Sequence, residues 1–222
     1  MTSASWRLRG AAVALALAGC GAEPGAPDGA GGACPSDRYV ARVVSFTPGE
    51  GAGFGADAMP GVVMGPPDGR GDFFGGTDVV SLGAGGEVVV GFDVDIVDGE
   101  GDDFTVFENA FQVPGEPPRY WEELGEVSVS DDGARWVTFA CDVRGARPHA
   151  GCAGWRPVYA SRANGRCASD PTVSGGDGFD LRAVGLTRAR FVRIRDLRTQ
   201  ERADPSTGFD LDAVAVIHAA AR

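Results

Sequence analysis

Residues 125–139, with the sequence GEVSVSDDGARWVTF, predict a β-hairpin. In the first half of this stretch valine and serine alternate, which is the two-residue period of a strand with one buried face. The Asp132-Gly133 pair that follows is typical of a tight turn between antiparallel strands, and an apolar run resumes after it. The hairpin therefore indicates a fold built from antiparallel strands.

Short strands of the same kind are predicted along the rest of the chain. The apolar runs are short and rich in valine and phenylalanine, and glycine, proline and aspartate separate them. Beyond residue 20 no helical period is sustained over three turns. The expected class is all-β, an antiparallel two-sheet β-sandwich of jelly-roll type. Strands are predicted at residues 39–46, 78–82, 87–92, 103–108, 126–130, 135–139, 189–195 and 211–218.

Two sets of segments carry resemblances to known proteins. The hairpin, followed later by ARFVRIRDL at residues 189–197, resembles the galactose-binding-like jelly rolls, among them the discoidin and coagulation-factor C-type domains. The segments VVSFTPGEGAGFGADAMP, DFTVFENAF, GGDGFDL and GFDLDAVAV also resemble a group of functionally uncharacterised bacterial cell-surface lipoproteins. The first resemblance implies a fold and the second a location, and neither implies particular ligand residues.

Residues 1–19 are predicted to be a secretion signal peptide. A basic start precedes an apolar run at residues 11–18 that is too short to span a bilayer. The sequence Leu17-Ala18-Gly19-Cys20 resembles the bacterial lipobox, which implies cleavage before Cys20 and palmitate-type acylation of that cysteine. Gly21 comes next, and the sorting rule of two-membrane envelopes then implies the cell outer membrane or cell surface. The alternative is an ordinary secretion signal with a chance cysteine.

We expect the substitution Cys20→Ser to abolish lipid labelling. Serine lacks the thiol that receives the lipid, so the variant should remain an unprocessed precursor or become a soluble form. Metabolic labelling with a palmitate analogue, applied to the variant and the natural chain side by side, checks this. Lipid on the serine variant would show that the lipobox interpretation is wrong.

Residues 20–37 are predicted to be a lipidated, flexible tether, and residues 38–222 a single β-sandwich domain. From Gly21 the composition reduces to glycine, alanine, proline and a few acids, which bury too little apolar surface to offset the entropy of ordering. The formal charge is −11, and removal of two signal arginines makes it −13. This charge argues against nucleic acid as a partner, because phosphate binding requires a basic face.

The four cysteines beyond the predicted lipidation site are expected to form disulfides. Four cysteines allow three pairings. The segment CDVRGARPHAGC has the pattern of a closed loop, which favours Cys141 with Cys152 and leaves Cys34 to pair with Cys167. A metal site is the other interpretation, but the chain has no CxxC spacing and only two histidines. An exported, oxidising setting favours disulfides.

Acidic residues are concentrated between Glu87 and Asp132, where fourteen of them accompany a single basic residue, Arg119. The stretch DVDIVDGEGDD does not match an EF-hand loop, because its third acid comes one residue too late. A near-repeat, GDGFDLRAVGL and STGFDLDAVAV, also places acids at the start of apolar segments. Burying an unpaired charge costs several kcal/mol, so such acids need a partner.

Calcium is one candidate partner for these acids, and the arginines Arg193 and Arg195 are the other. The resemblance to jelly rolls implies a structural calcium beside the first and last strands. Strand alternation predicts that both aspartates of the second repeat share a face with the valines that follow them. The remaining alternative is a solvated acidic turn that keeps the protein soluble. The predicted calcium ligands are Asp103, Glu108, Asp210 and Asp212.

The sequence argues against catalysis and for binding. It contains no GxSxG elbow, HExxH motif, phosphate-binding glycine loop or lysine. We predict a non-catalytic surface module for carbohydrate or another envelope component; the alternatives are a purely structural envelope protein and a glycan-cleaving enzyme with paired carboxylates. Sugar binding usually needs exposed aromatic faces, although each ring could instead seal an end of the sandwich. The candidate sugar contacts are Phe73, Phe74, Tyr120, Trp121 and Trp155.

Overall fold

The structure is a computed structural model that describes residues 34–115, 117–199 and 206–221. The predicted signal, Cys20 and most of the predicted tether lie outside these residues. From Cys34 onward the chain forms one compact unit. Cys34, the first described residue, is held by a disulfide, and a 3-10 turn forms at Ser36–Arg38.

The predicted all-β class is confirmed, with several antiparallel sheets. In the described part of the chain, helix occurs only as 3-10 turns, at Ser36–Arg38, Ala56–Ala58, Gly61–Val63 and Leu181–Val184. No helix among the residues that the structure describes is long and apolar enough to cross a membrane. The strands are β1 (Arg42–Thr47), β2 (Val80–Ser81), β3 (Glu87–Val97), β4 (Phe104–Phe107), β5 (Phe111–Val113), β6 (Arg119–Trp121), β7 (Gly125–Ser130), β8 (Val137–Thr138), β9 (Cys152–Ala153), β10 (Asp177–Phe179), β11 (Arg188–Asp196), β12 (Asp210–Leu211), β13 (Ala213–Val216) and β14 (Ala219–Ala220).

The largest sheet is built around β3 and β11. Its strand order is β1-β3-β11-β7-β8, with β14 also paired to β3 and β9 to β7. The predicted hairpin is present, since β7 pairs with β8 and Val129 lies opposite Val137. Gly133 has a φ of 75° at the turn, a conformation that glycine adopts without steric cost.

Among the residues that the structure describes there are also three smaller antiparallel sheets, with strand orders β10-β4-β13, β12-β2 and β5-β6. One hydrophobic core joins the two largest sheets, because it contains Val88 and Val192 from the first and Phe104 and Val214 from the second. The Phe104 ring stacks on Phe179 of β10 with 5.2 Å between centroids. Removal of these apolar surfaces from water stabilises the contact between the sheets.

Both predicted disulfides are present. Cys34 is bonded to Cys167 and Cys141 to Cys152. The first fastens the start of the body to a distant segment, and the second closes the short loop that follows β8.

Two details of the predicted strands are wrong. β3 continues to Val97, five residues past its predicted end, and carries the buried Asp95 with Arg190 Nε at 3.3 Å. The last predicted strand, 211–218, is interrupted at Asp212, between β12 and β13. Leu211 and Val214 belong to the same core, so the alternation changes phase at this aspartate and the predicted division of faces fails.

Candidate functional site

The four predicted calcium ligands do not form one site. Asp103 precedes β4, whereas Glu108 follows it directly, so the strand separates them. Asp210 opens β12, and Asp212 lies in the interruption after it. Glu108 and Asp210 meet, while Asp103 and Asp212 each lie in a different environment.

Asp103 has a structural role at the far end of β4. Its Oδ1 accepts a hydrogen bond from the Gly99 amide at 2.8 Å and lies 2.8 Å from Nδ1 of His218. Its Oδ2 accepts a hydrogen bond from the Leu181 amide, also at 2.8 Å. The carboxylate is fully buried and joins three segments through these contacts, and one of its oxygens also lies within 4.8 Å of oxygens of Asp98 and Asp180.

Asp212 is held against the loop that contains Asp68. Its Oδ2 accepts a hydrogen bond from the Asp68 amide at 2.9 Å. The pKa of Asp212 is raised to about 7, chiefly by burial; the Asp78 and Asp68 carboxylates also raise it, while the hydrogen bond from the Asp68 amide and the charge of Arg162 lower it. Arg193, one of the two alternative arginine partners, lies elsewhere, with its guanidinium 3.8 Å from Glu87 and over the Trp136 ring.

Glu108 and Asp210 are joined by Glu123, which the sequence prediction missed. One ligand oxygen from each of the three side chains lies within 4.8 Å of the others, and we call this set the tricarboxylate cluster. Glu108, Glu123 and Asp210 are 1%, 1% and 6% exposed. They come from the end of β4, the connection between β6 and β7, and the start of β12, so the cluster depends on the tertiary fold.

Hydrogen bonds satisfy the aspartate of the tricarboxylate cluster better than its two glutamates. Both oxygens of Glu108 and Oε1 of Glu123 are buried without a well-aligned hydrogen bond in the described part of the chain, although the Asn109 and Gly208 amides lie near enough to lower the pKa values of Glu108 and Glu123 respectively. Asp210 accepts hydrogen bonds from the Ser81 hydroxyl and from Asn109 Nδ2, the latter at 3.1 Å. Burial and the neighbouring carboxylates raise the pKa of Glu108 well above its usual value and that of Glu123 to about 8.

The predicted aromatic contacts divide into separate groups. Tyr120 and Trp121 are adjacent on β6, and the Trp121 ring stacks on Phe111 of β5 with 6.4 Å between centroids. Phe73 and Phe74 are 52% and 65% exposed, in a loop that begins beside β5. The Tyr120 ring is instead linked to the Trp155 ring by an arginine that contacts both.

Arg147 connects Tyr120 with Trp155. Its guanidinium carbon lies 3.7 Å from the Tyr120 ring centroid and 5.4 Å from that of Trp155. The guanidinium pairs with Glu122 and donates a hydrogen bond to the Trp155 carbonyl at 2.9 Å. His149 Nε2 lies 3.5 Å from the other Glu122 oxygen. We call these five residues the Arg147 cluster.

The disulfide loop positions the Arg147 cluster. Arg147 and His149 both lie in the loop closed by Cys141 and Cys152, which has no hydrophobic period that sequence reasoning could have used. Beside Trp155 is a cavity of about 260 Å³ that Asp102, Arg156 and Asp177 also line. Asp177 Oδ2 accepts hydrogen bonds from the Gly154 and Trp155 amides at 2.7 and 3.2 Å, so it fixes the backbone beneath the indole.

Gly154 brings this loop close to the tricarboxylate cluster. Its φ is 91°, and a Cβ at this position would overlap the carbonyl oxygen of Glu123. Only glycine fits this approach without strain. Glu122 and Glu123 thus serve two different sites from adjacent positions, the first at the surface cluster and the second in the interior.

Comparison with known proteins found no family model that matches the chain and no matching curated protein. Function is therefore inferred from the geometry of the two clusters.

Proposed function

We propose that this protein is a lipoprotein of the cell envelope whose body binds carbohydrate or another envelope component without chemical turnover. The body is a jelly-roll β-sandwich of the galactose-binding-like type. Two antiparallel sheets that share one core support this fold, and the lipobox resemblance supports contact with the outer membrane through the N-terminal lipid.

The Arg147 cluster is the main observation that supports carbohydrate binding. Aromatic rings pack on the apolar faces of sugars, while guanidinium and carboxylate groups bond to hydroxyls with defined geometry. Tyr120 is 38% exposed and Trp155 partly exposed, and Arg147, Glu122 and His149 lie between and beside them. The cluster thus combines apolar faces with directed polar groups on one accessible surface.

The cluster is also held in place before any ligand arrives. The disulfide closes the loop behind Arg147, whose guanidinium already bonds to Glu122 and to the Trp155 carbonyl. Groups that are fixed in advance lose less conformational entropy on binding. A rigid arrangement of this kind suits recognition of a small polar ligand.

We expect Trp155→Ala to weaken sugar binding at least tenfold, equivalent to about 1.4 kcal/mol. Arg147→Lys should also weaken it, because lysine keeps the charge but loses the planar, two-sided contacts of the guanidinium. A glycan array probed with residues 20–222, expressed without the predicted signal and carrying Cys20→Ser, identifies a ligand, and isothermal titration with that glycan then measures both variants.

Phe74→Ala is the matched control, because Phe74 is an exposed aromatic residue outside the Arg147 cluster. The Phe74→Ala variant should bind the glycan with the same affinity as the natural chain. Equal loss from Phe74→Ala and Trp155→Ala would place binding elsewhere. An array without signal would contradict sugar binding and favour a structural role, and glycan cleavage during the assay would favour the enzymatic alternative.

A further inference from the structure

The two glutamates of the tricarboxylate cluster have buried carboxylate oxygens that well-aligned hydrogen bonds from the described residues do not satisfy. Glu108 is 1% exposed, and neither of its carboxylate oxygens has a well-aligned hydrogen-bond partner in the ranges that the structure describes. The same is true of Oε1 of Glu123, also 1% exposed. Buried polar groups in folded proteins are nearly always satisfied by hydrogen bonds or by a bound ion, so these oxygens indicate an additional occupant.

The spacing of the cluster suits a cation. Its three ligand oxygens lie within 4.8 Å of one another. Calcium binds oxygen at 2.3–2.6 Å, so two ligands on opposite sides of one ion are separated by about 4.8 Å. Oxygens that surround a single calcium ion therefore fall within the observed span.

Neighbouring groups are arranged to support the carboxylates as ligands. Asn109 Nδ2 donates to Asp210 Oδ2 at 3.1 Å and to the Gly76 carbonyl at 3.1 Å, which fixes the orientation of its amide. Asn109 Oδ1 is then left buried without a partner among the described residues, as a further neutral oxygen. Hydrogen bonds that orient ligating carboxylates are typical of metal centres.

We propose that Glu108, Glu123 and Asp210 bind one Ca²⁺ ion, which joins the end of β4, the β6–β7 connection and the start of β12. The ligand groups that the described residues bring together here are all oxygen donors, which favours a hard cation over zinc or copper. The site keeps two of the four ligands expected from the sequence and replaces Asp103 and Asp212 with Glu123. The proposed calcium site shares no residue with the Arg147 cluster, so an experiment can contradict either proposal without contradicting the other.

Terbium luminescence tests the site directly, because Trp121 Nε1 lies 3.4 Å from Glu123 Oε2. Excitation of Trp121 should sensitise emission from Tb³⁺ bound in the cluster of residues 20–222, expressed without the predicted signal, with Cys20→Ser and treated with EGTA beforehand. Calcium should displace the terbium and abolish the signal. Trp121→Phe should lose most of the emission yet still bind calcium in a calorimetric titration.

Glu108→Gln and Glu123→Gln should each lower calcium affinity at least tenfold. Asp212→Asn is the matched control, because it also neutralises a buried aspartate with a raised pKa but lies outside the cluster. Its calcium affinity should stay within twofold of the natural chain. Loss of binding in Asp212→Asn with none in the glutamine variants would overturn the assignment.

Thermal unfolding distinguishes a metal site from a set of protonated acids. Calcium should raise the melting temperature of the natural chain by several degrees, since a ligand that binds only the folded state stabilises it. Glu108→Gln should then be less stable than the natural chain in calcium and more stable in EGTA, where it removes repulsion. If calcium leaves the melting temperature unchanged and Glu108→Gln is more stable in both media, the carboxyls are protonated and the proposal is wrong.

Discussion

Replacing Cys34 and Cys167 with alanine is expected to lower the free energy of unfolding by about 5 kcal/mol, against about 3 kcal/mol for Cys141 and Cys152. The two bonds span 133 and 11 positions of the chain. A cross-link that closes a longer loop removes more conformational entropy from the unfolded chain, and the loss grows with the logarithm of loop length.

Urea unfolding of the two double-alanine variants under non-reducing conditions measures this difference. Reduction of the natural protein with dithiothreitol provides the control, because it should cost at least as much as the larger of the two losses. A greater loss from the Cys141–Cys152 pair would contradict the entropic account and show that contacts around the buried Cys152 dominate. Removing that pair should also weaken binding at the Arg147 cluster, whose loop it closes.

Local patterns were sufficient to predict the class and much of the strand content. Alternation of valine and serine with an Asp132-Gly133 turn predicted the hairpin of β7 and β8, since both signals act over a few neighbouring residues. The cysteine pairing could also be predicted, because one short loop left only one partner for each remaining cysteine. The short hairpin of β5 and β6 was missed, as its strands have three residues each and no clear alternation.

The four predicted calcium ligands do not lie together, for two physical reasons. Asp103 and Glu108 flank a strand, and at about 3.3 Å per residue five steps separate them by roughly 16 Å. No single ion can bind both. Asp210 and Asp212 were assumed to follow one continuous strand, but the chain breaks between β12 and β13 and sends the second carboxylate towards Asp68.

Glu123 and Arg147 could not be found from the sequence, because tertiary structure alone gives them their roles. Glu122 and Glu123 are chemically identical neighbours in an acidic stretch, and nothing local indicates that one faces Arg147 and the other the interior. Arg147 lies in a loop without a regular period. The residues with most functional interest are thus those that the fold brings together from distant segments.

Asp177 is expected to make the protein less stable as pH rises from about 4 to about 7. Burial raises its pKa to about 7 from an ordinary value of 3.8, although the Trp155 and Gly154 amides act in the opposite direction. Between these two values the folded protein binds more protons than the unfolded chain, so stability is greatest below the lower value and falls towards the higher one. One pKa unit corresponds to about 1.4 kcal/mol, which sets a slope of roughly 1.4 kcal/mol per pH unit within that window.

Asp177→Asn should remove this slope, because asparagine stays neutral while its carbonyl oxygen can still accept the two amide hydrogen bonds. The variant's advantage over the natural chain, measured by urea unfolding from pH 4 to 8, should grow with pH up to about 7 and then level off. Asp132→Asn is the control, because Asp132 should affect stability with the opposite dependence on pH. Hydrogen bonds from the Arg135 and Ala134 amides lower the pKa of Asp132, so its contribution is present above the ordinary value and is lost as pH falls. A difference between Asp177→Asn and the natural chain that does not change with pH would show that Asp177 has the same charge in the folded and unfolded states.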